Sequence, residues 1–349
     1  MAVIMLGNHA VGPDQPPFII AELSGNHDQS LDKALAMVEA AAKCGADAIK
    51  LQTYTPDTIT LDVHDNEFFI DNPDSLWHGN SLYSLYQQAM TPWEWHKPLF
   101  DRAKELGMLA FSSPFDLTAV DYLEQLNVPC YKIASFENID HGLIAAVART
   151  GKPVIISTGM ATQTELAEAV DVLRHNGCRD IILLKCTSNY PARPVDANLN
   201  TIPHLAALFD CQVGLSDHTA GIGVSVAAVA LGATVIEKHF VLDRSEGGID
   251  AAFSMEPEEF SLLVSECRKA KDALGKVHYG CTDKEIASRV HRRSLYIAKD
   301  MQAGDIFTTD NLRSVRPGLG LPPKYLPQFL GRQAKQDVSM GTPLSWEMI

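Results

Sequence analysis

From residue 18 to about 275, short apolar runs alternate with longer stretches whose apolar positions recur at helical spacing. The runs at 18–23, 48–54, 108–112, 130–134, 153–157, 181–185, 212–215 and 235–238 predict buried strands. The stretches at 31–44, 92–106, 164–176, 222–231 and 257–274 predict helices. Gly45, Gly107, Gly151, Gly177, Gly232 and Gly275 stand where helices would close with a left-handed cap. About eight β-α units predict an α/β fold of the (β/α)8 TIM-barrel type. A doubly wound open sheet is the alternative, but it does not usually run to eight units.

One excursion breaks the rhythm. Residues 57–81, rich in Asp, Asn, Pro and Gly, form a long connection after the second strand, either a lid over a site or a tolerated surface insertion. After Gly275 the pattern changes. The polar, basic stretch 276–293 reads as a linker, 294–298 as a strand, 300–304 as a turn and 309–312 as the start of a short helix. A Pro-rich irregular segment and a short terminal strand follow. The expected domains are a barrel over 1–280, a linker over 281–293 and a small domain over 294–349, marginal in size by itself.

Composition narrows the partners. The 349 residues are 46% hydrophobic and 21% charged, enough for a sizeable core. A net charge of −14 argues against nucleic acid or an anionic membrane surface. The seven Cys are scattered without zinc-finger or CxxC spacing, as expected of reduced thiols in the cytoplasm. The apolar run at 1–7 has no basic flank and is too short for a signal peptide or a span.

In a barrel of this type chemistry sits at the carboxyl ends of the strands, and here every predicted strand ends in polar groups. His218, in Gly214-Leu215-Ser216-Asp217-His218, and His239, in Glu237-Lys238-His239-Phe240, end neighbouring strands and so stand side by side. Either each imidazole caps its strand, or the two together hold a borderline divalent metal. Lys50 and Lys132, with Lys185 as a third candidate, are ringed by Ser113, Ser135, Ser157 and Ser216. Ammoniums among hydroxyls suit a phosphate, and local focusing reconciles an anionic ligand with an acidic chain. Glu22 and Glu137 are candidates for proton transfer, or for pairing with those lysines.

The ordered motifs Ile20-Ala21-Glu22-Leu23-Ser24-Gly25-Asn26-His27, Ala48-Ile49-Lys50-Leu51-Gln52-Thr53-Tyr54, Ser112-Ser113-Pro114-Phe115, Tyr131-Lys132-Ile133-Ala134-Ser135 and Ser157-Thr158-Gly159-Met160, with the two His motifs, resemble the sialic acid synthase family of nonulosonic acid synthases. Val315-Arg316-Pro317-Gly318 extends the resemblance into that family's antifreeze-like (SAF) C-terminal domain, so it covers essentially the whole chain. The resemblance implies a metal-dependent (Mn²⁺, Mg²⁺ or Co²⁺) condensation of phosphoenolpyruvate with an amino-sugar aldehyde. It also implies a homodimer in which each small domain reaches the other subunit's active site.

Carried onto this chain, Lys50, Ser113, Lys132, Ser135, Ser157 and Ser216 would hold phosphoenolpyruvate, with Ser188 where the family often has Asn. His218 and His239 would bind the metal. Gln52, Tyr190, Asp250 and the partner subunit's Arg316 would touch the sugar, with Glu22 and Glu137 beside the reacting aldehyde. The details Ala134-Ser135-Phe136-Glu137, Thr91-Pro92-Trp93-Glu94-Trp95-His96 and Arg316-Pro317-Gly318-Leu319-Gly320-Leu321 are most similar to the branch that acts on 2,4-diacetamido-2,4,6-trideoxy-L-altrose. Phe136 would then either offer apolar surface to the methyl of that sugar or pack below the site. The rivals are the same chemistry on N-acetylmannosamine or the legionaminic precursor, a metal-dependent barrel aldolase that uses pyruvate, and a non-catalytic carbohydrate-binding protein.

Overall fold

The computed structural model describes residues 2–349, in two compact units that part between Gly275 and Lys276. In the first, β1 (Ile4–Leu6) and β2 (His9–Val11) form an antiparallel hairpin. Eight parallel strands follow: β3 (Phe18–Glu22), β4 (Ala48–Thr53), β5 (Leu109–Pro114), β6 (Tyr131–Ile133), β7 (Val154–Ser157), β8 (Ile181–Cys186), β9 (Gln212–Asp217) and β10 (Val235–His239). β10 pairs with β3, closing the sheet into a barrel with no free edge. Each of the eight runs predicted as strands is one, within two residues at either end.

A helix follows every barrel strand: Leu31–Lys43, Trp93–Glu105, Leu117–Gln125, His141–Arg149, Gln163–His175, Thr201–Phe209, Gly223–Ala230 and Pro257–Leu274. Leu31–Lys43 illustrates their logic. The Ser30 side chain accepts from the Lys33 N–H at its start, and Ala34, Met37, Val38 and Ala41 form the buried stripe. Gly45, at φ +86°, turns the chain back toward β4. The barrel core is aliphatic, with Ile19, Ile49, Ile155, Leu183 and Ile236 fully buried.

The N-terminal hairpin was not visible in the sequence pattern, because three-residue strands fall below any periodicity window. Its Ile4, Leu6 and Val11 are buried in the barrel core, and Gln212, the first residue of β9, donates to the Ala2 carbonyl at 2.7 Å. The hairpin therefore seals the amino-terminal face. Chemistry is left to the opposite one.

The second unit has its own core, which includes Leu295, Ile297, Phe307, Leu312 and Phe329. β11 (Ser294–Ile297) and β12 (Leu312–Val315) pair in antiparallel register. The helix start expected at 309–312 is instead a turn into β12, in which the Asn311 carboxamide accepts from the Thr308 N–H at 2.7 Å. Among the described residues no terminal strand forms. A single bridge joins Tyr296 to Pro343, whose missing N–H cannot extend a ladder, and the chain ends in the short turn Trp346–Met348. The units part at Gly275, ahead of the expected 280, and the segment 281–293 is mostly exposed with one turn at Ala287–His291. All seven Cys are free thiols, and among the described residues no helix is long and apolar enough to cross a membrane.

Candidate active site

Strand side chains alternate, so every second residue points into the barrel, and parallel registers decide which meet. His239 lies beside Glu22 across β10 and β3, and Glu22 beside Lys50 across β3 and β4. Gln52 lies beside Ser113 on β5, and Cys186, Ser216 and Glu237 stand abreast on β8, β9 and β10. These side chains surround or back a cavity of about 480 Å³ at the carboxyl ends of the strands.

Its floor is a chain of alternating charges. Lys50 Nζ lies 2.7 Å from Glu22 Oε2 and 3.5 Å from Glu237 Oε1. Lys132 Nζ donates to the same Glu237 oxygen at 3.1 Å, as does the Ser216 hydroxyl at 3.0 Å. All four charged groups are buried. Burial raises the Glu22 carboxyl above its usual range despite Lys50. Burial would raise Glu237 too, but the ammoniums of Lys132 and Lys50 outweigh it and hold that carboxylate low. Burial depresses Lys132, whereas Glu22 and Glu237 keep Lys50 above the ordinary lysine range against the same penalty.

Above this floor sit the hydroxyls. Ser113 Oγ and Ser157 Oγ are buried without a partner, and each such group carries a desolvation cost unless a ligand satisfies it. Ser135 Oγ accepts from the Gly159 N–H at 3.2 Å. A Cβ on Gly159 would stand 2.2 Å from Ser188 Oγ and 2.6 Å from Ser135 Oγ, so only glycine lets these hydroxyls converge on the backbone. Lys50, Lys132, Ser135, Ser157 and Ser216 line the cavity directly; Ser113 does not but stands beside the lining residue Gln52, and Ser188 does not but meets Ser135 at Gly159.

The two imidazoles form the adjoining wall, their ring centroids 5.3 Å apart. His218 Nδ1 meets the Thr187 carbonyl at 3.0 Å, which leaves its other ring nitrogen for a ligand. His239 Nδ1 is buried and without a partner. Burial and the neighbouring His218 hold His239 far below the usual imidazole range, the neutral state a metal needs. Among the described residues no third His, Cys, Asp or Glu joins them in a closed ligand set. The pair fits an open site whose other positions go to water and substrate.

Glu137 also lines the cavity; burial pushes its carboxyl up to about 7, and its Oε2 is unpartnered. Gln52 Nε2 donates to Glu22 Oε1 at 3.1 Å and to Ser24 Oγ at 3.2 Å, while Ser24 donates to Asp250. Tyr190 packs on His218 with ring centroids 4.5 Å apart. Phe136 is 60% exposed on the cavity rim, so it does not pack below the site.

One expectation fails here: Lys185 stands at a strand end but does not line the cavity, and neither do the polar motif residues Asp217, Asn26 and His27. Lys185 Nζ donates to the Cys186 carbonyl at 2.8 Å. Asp217 forms a fully buried pair with Lys238 at 2.9 Å on the outside of the barrel. Asn26 bonds the Phe240 carbonyl at 2.9 Å, and His27 meets Thr91 at 3.1 Å.

Conversely, Glu237 is central and was missed as a site residue. Its position two residues before His239 on one strand was the available signal, because period two sends both inward. The 57–81 excursion is no stray insertion either. Its Ile59, Ile70 and Trp77 line the cavity, and Trp77 Nε1 donates to the Ile249 carbonyl at 3.0 Å. Arg316 belongs to the second unit.

Comparison with known proteins bears on what such a cavity does. Residues 37–279 match the model of the NeuB family, and residues 292–349 match the SAF domain. The chain is 45% identical over 331 residues to the pseudaminic acid synthase of Campylobacter jejuni subsp. jejuni serotype O:23/36, covering 95% of this chain and 96% of that one. It is 45% identical over 332 residues to the pseudaminic acid synthase of Helicobacter pylori, covering 95% and 97%. Among solved structures, the N-acetylneuraminic acid synthetase of Leptospira borgpetersenii, in complex with citrate, superposes with a TM-score of 0.72 at 34% identity over 82% of this chain and 95% of that one.

Proposed function

The chain belongs to the NeuB family, and on that premise we propose that it is a pseudaminic acid synthase. It condenses phosphoenolpyruvate with 2,4-diacetamido-2,4,6-trideoxy-L-altrose and water, and releases phosphate. One observation carries the reading: two buried ammoniums and the unpartnered Ser157 hydroxyl share a cavity with a pair of imidazoles and an unpartnered carboxyl. A polar constellation this costly to bury is expected of a site whose ligand completes it.

In this reading Lys50 and Lys132 take the anionic groups of phosphoenolpyruvate, assisted by Ser113, Ser135, Ser157, Ser188 and Ser216. Glu22 and Glu237 hold the ammoniums in place beforehand, so little reorganisation is left for binding. His218 and His239 would hold a divalent metal, which when bound supplies Lewis-acid polarisation of the sugar aldehyde. Gln52, Tyr190, Asp250 and Phe136 orient the sugar. The methylene carbon of phosphoenolpyruvate then forms a bond to the aldehyde carbon as the aldehyde π bond opens onto its oxygen. That oxygen becomes a hydroxyl by taking a proton from solvent, and positive character develops at the enol carbon. Water adds there as Glu137 takes its proton. With a carboxyl near 7, Glu137 is ionised often enough to accept that proton and basic enough to hold it. The tetrahedral intermediate collapses by C–O cleavage to the nine-carbon 2-keto acid and inorganic phosphate.

The assembly proposed is a homodimer in which Arg316 of the SAF domain reaches the partner's sugar. The cytoplasm is the proposed location, in keeping with seven unpaired thiols. The test incubates the protein with Mn²⁺, phosphoenolpyruvate and, separately, the diacetamido-trideoxy-altrose, N-acetylmannosamine and the legionaminic precursor. The expected result is stoichiometric phosphate with the first sugar and a product of the mass of pseudaminic acid. Preferred turnover of either of the other two sugars, or of no sugar at all, overturns the proposal.

A further inference from the structure

Four side chains at the carboxyl end of the barrel form one directed chain of hydrogen bonds. Lys50 pairs with Glu22 Oε2 at 2.7 Å, which leaves Glu22 Oε1 to accept from Gln52 Nε2 at 3.1 Å. The same amide nitrogen donates to Ser24 Oγ at 3.2 Å, and Ser24 passes its own hydrogen to Asp250. The direction is fixed at both ends. A carboxylate only accepts, so Glu22 calls for the NH2 end of the Gln52 amide and Asp250 calls for the Ser24 hydrogen. With that hydrogen committed, Ser24 Oγ can only accept from Gln52. Both amide hydrogens are thereby used, and among the described residues no hydrogen bond reaches the Gln52 carbonyl oxygen. Gln52 lines the cavity, so an acceptor is what it has left to offer there.

Ser24 holds its place under strain. It is buried, and its backbone is left-handed at φ +48°, a conformation that glycine adopts freely and a residue with a Cβ does not. Glycine would make the same turn with less strain, so what serine adds is the hydroxyl. We infer that Ser24 is a positioning residue for the sugar: by holding the Gln52 amide it turns the Gln52 carbonyl oxygen toward the cavity, to accept from a hydroxyl or amide N–H of the bound sugar. The inference rests on the proposed reaction and adds to it a residue that does not itself line the cavity. Without the Ser24 oxygen one amide hydrogen loses its partner, and the Gln52 amide is held by Glu22 alone. Asp250 still has the Gly25 N–H beside it. A purely structural Ser24 would instead tie the loop after β10 to the end of β3 and act on stability alone.

The experiment measures kcat and KM for the diacetamido-trideoxy-altrose and for phosphoenolpyruvate, together with the melting temperature. It compares the wild type, Ser24→Gly, Gln52→Ala and the double variant. Ser24→Gly removes the hydroxyl and relieves the left-handed backbone, so it should fold and melt close to the wild type. Its kcat/KM for the sugar should fall about tenfold, mainly through KM, as the loss of one hydrogen bond does, with KM for phosphoenolpyruvate unchanged. In the Gln52→Ala background the same substitution should alter kcat/KM for the sugar less than about twofold, because the amide it positions is gone. An unaltered sugar KM in Ser24→Gly overturns the inference, as does a tenfold loss that persists beside Gln52→Ala. So does an equal rise in both KM values with a lower melting temperature, which marks a structural role. A wild type that turns over no sugar overturns the reaction instead, and the Kd of the sugar, from calorimetry, then carries the same comparison.

Discussion

At the scale of single residues, the site depends on carboxylates held in different states by their surroundings. Glu137 titrates near 7 because it is buried, whereas an unfolded chain would release the same proton near the ordinary 4.5. The folded state therefore binds that proton more tightly. The stability it confers is complete below pH 4.5 and is lost as pH rises through about 7, by roughly 3 kcal/mol in all. Glu137→Gln should shrink the difference in unfolding free energy between pH 5 and pH 8, read from urea titrations. It should also abolish the limb of the kcat profile that rises near neutral pH. Glu237 shows the opposite case. With Lys50, Lys132 and Ser216 all directed at one of its oxygens, Glu237→Gln leaves two buried ammoniums short of a counter-charge. The expected outcome is a roughly 100-fold rise in KM for phosphoenolpyruvate, on the scale of truncating one partner of a buried charged pair. Steady-state kinetics with phosphoenolpyruvate varied checks it, and an unchanged KM would separate Glu237 from the anion pocket.

At the scale of elements, what fixes the chemistry is register, and register divides what the sequence reveals from what it hides. The eight apolar runs, five of the eight helices that follow them and the polar strand ends were legible, because burial writes hydrophobicity directly into the chain; the nine-residue helices Leu117–Gln125, His141–Arg149 and Thr201–Phe209 were not among those read. Which polar residue faces the cavity was not legible, because a one-residue step reverses the side. Lys185 was read as a candidate, yet it lies on the outer face, one step from the inward Cys186, while Glu237 was passed over although it shares His239's side. The N-terminal hairpin and the wall formed by the 57–81 excursion depend on long-range packing that no local pattern carries. Gly214 marks how tightly β9 is held to β10: a Cβ there would stand 2.3 Å from the Val235 carbonyl oxygen and 2.6 Å from a Leu184 methyl. Since the clash is with backbone, Gly214→Ala should destabilise the barrel by about 3 kcal/mol. Calorimetric melting checks the loss. Gly159→Ala meets side-chain hydroxyls instead, and should weaken phosphoenolpyruvate binding more than it lowers the melting temperature.

At the scale of the whole molecule, the question is where a catalytic unit ends. The barrel supplies every group that touches phosphoenolpyruvate in the proposed reaction, but Arg316 stands on a unit with a core of its own. If each SAF domain serves its partner's cavity, a lesion in the barrel and a lesion at Arg316 fall on different sites when they are carried by different chains. His218→Ala and Arg316→Ala proteins, each nearly inactive alone, are then expected to recover activity when unfolded together and refolded as a mixture. Random pairing puts both variants in half of the dimers. Each mixed dimer carries one cavity with both lesions and one with none, so activity should return to about a quarter of the wild-type level, as two-fold symmetry requires. Were Arg316 to act within its own chain, every cavity in every dimer would keep one lesion and the mixture would stay inactive. Phosphate release from mixtures of varied ratio distinguishes the two, since cross-subunit sharing gives a maximum at equal amounts and sharing within one chain gives none.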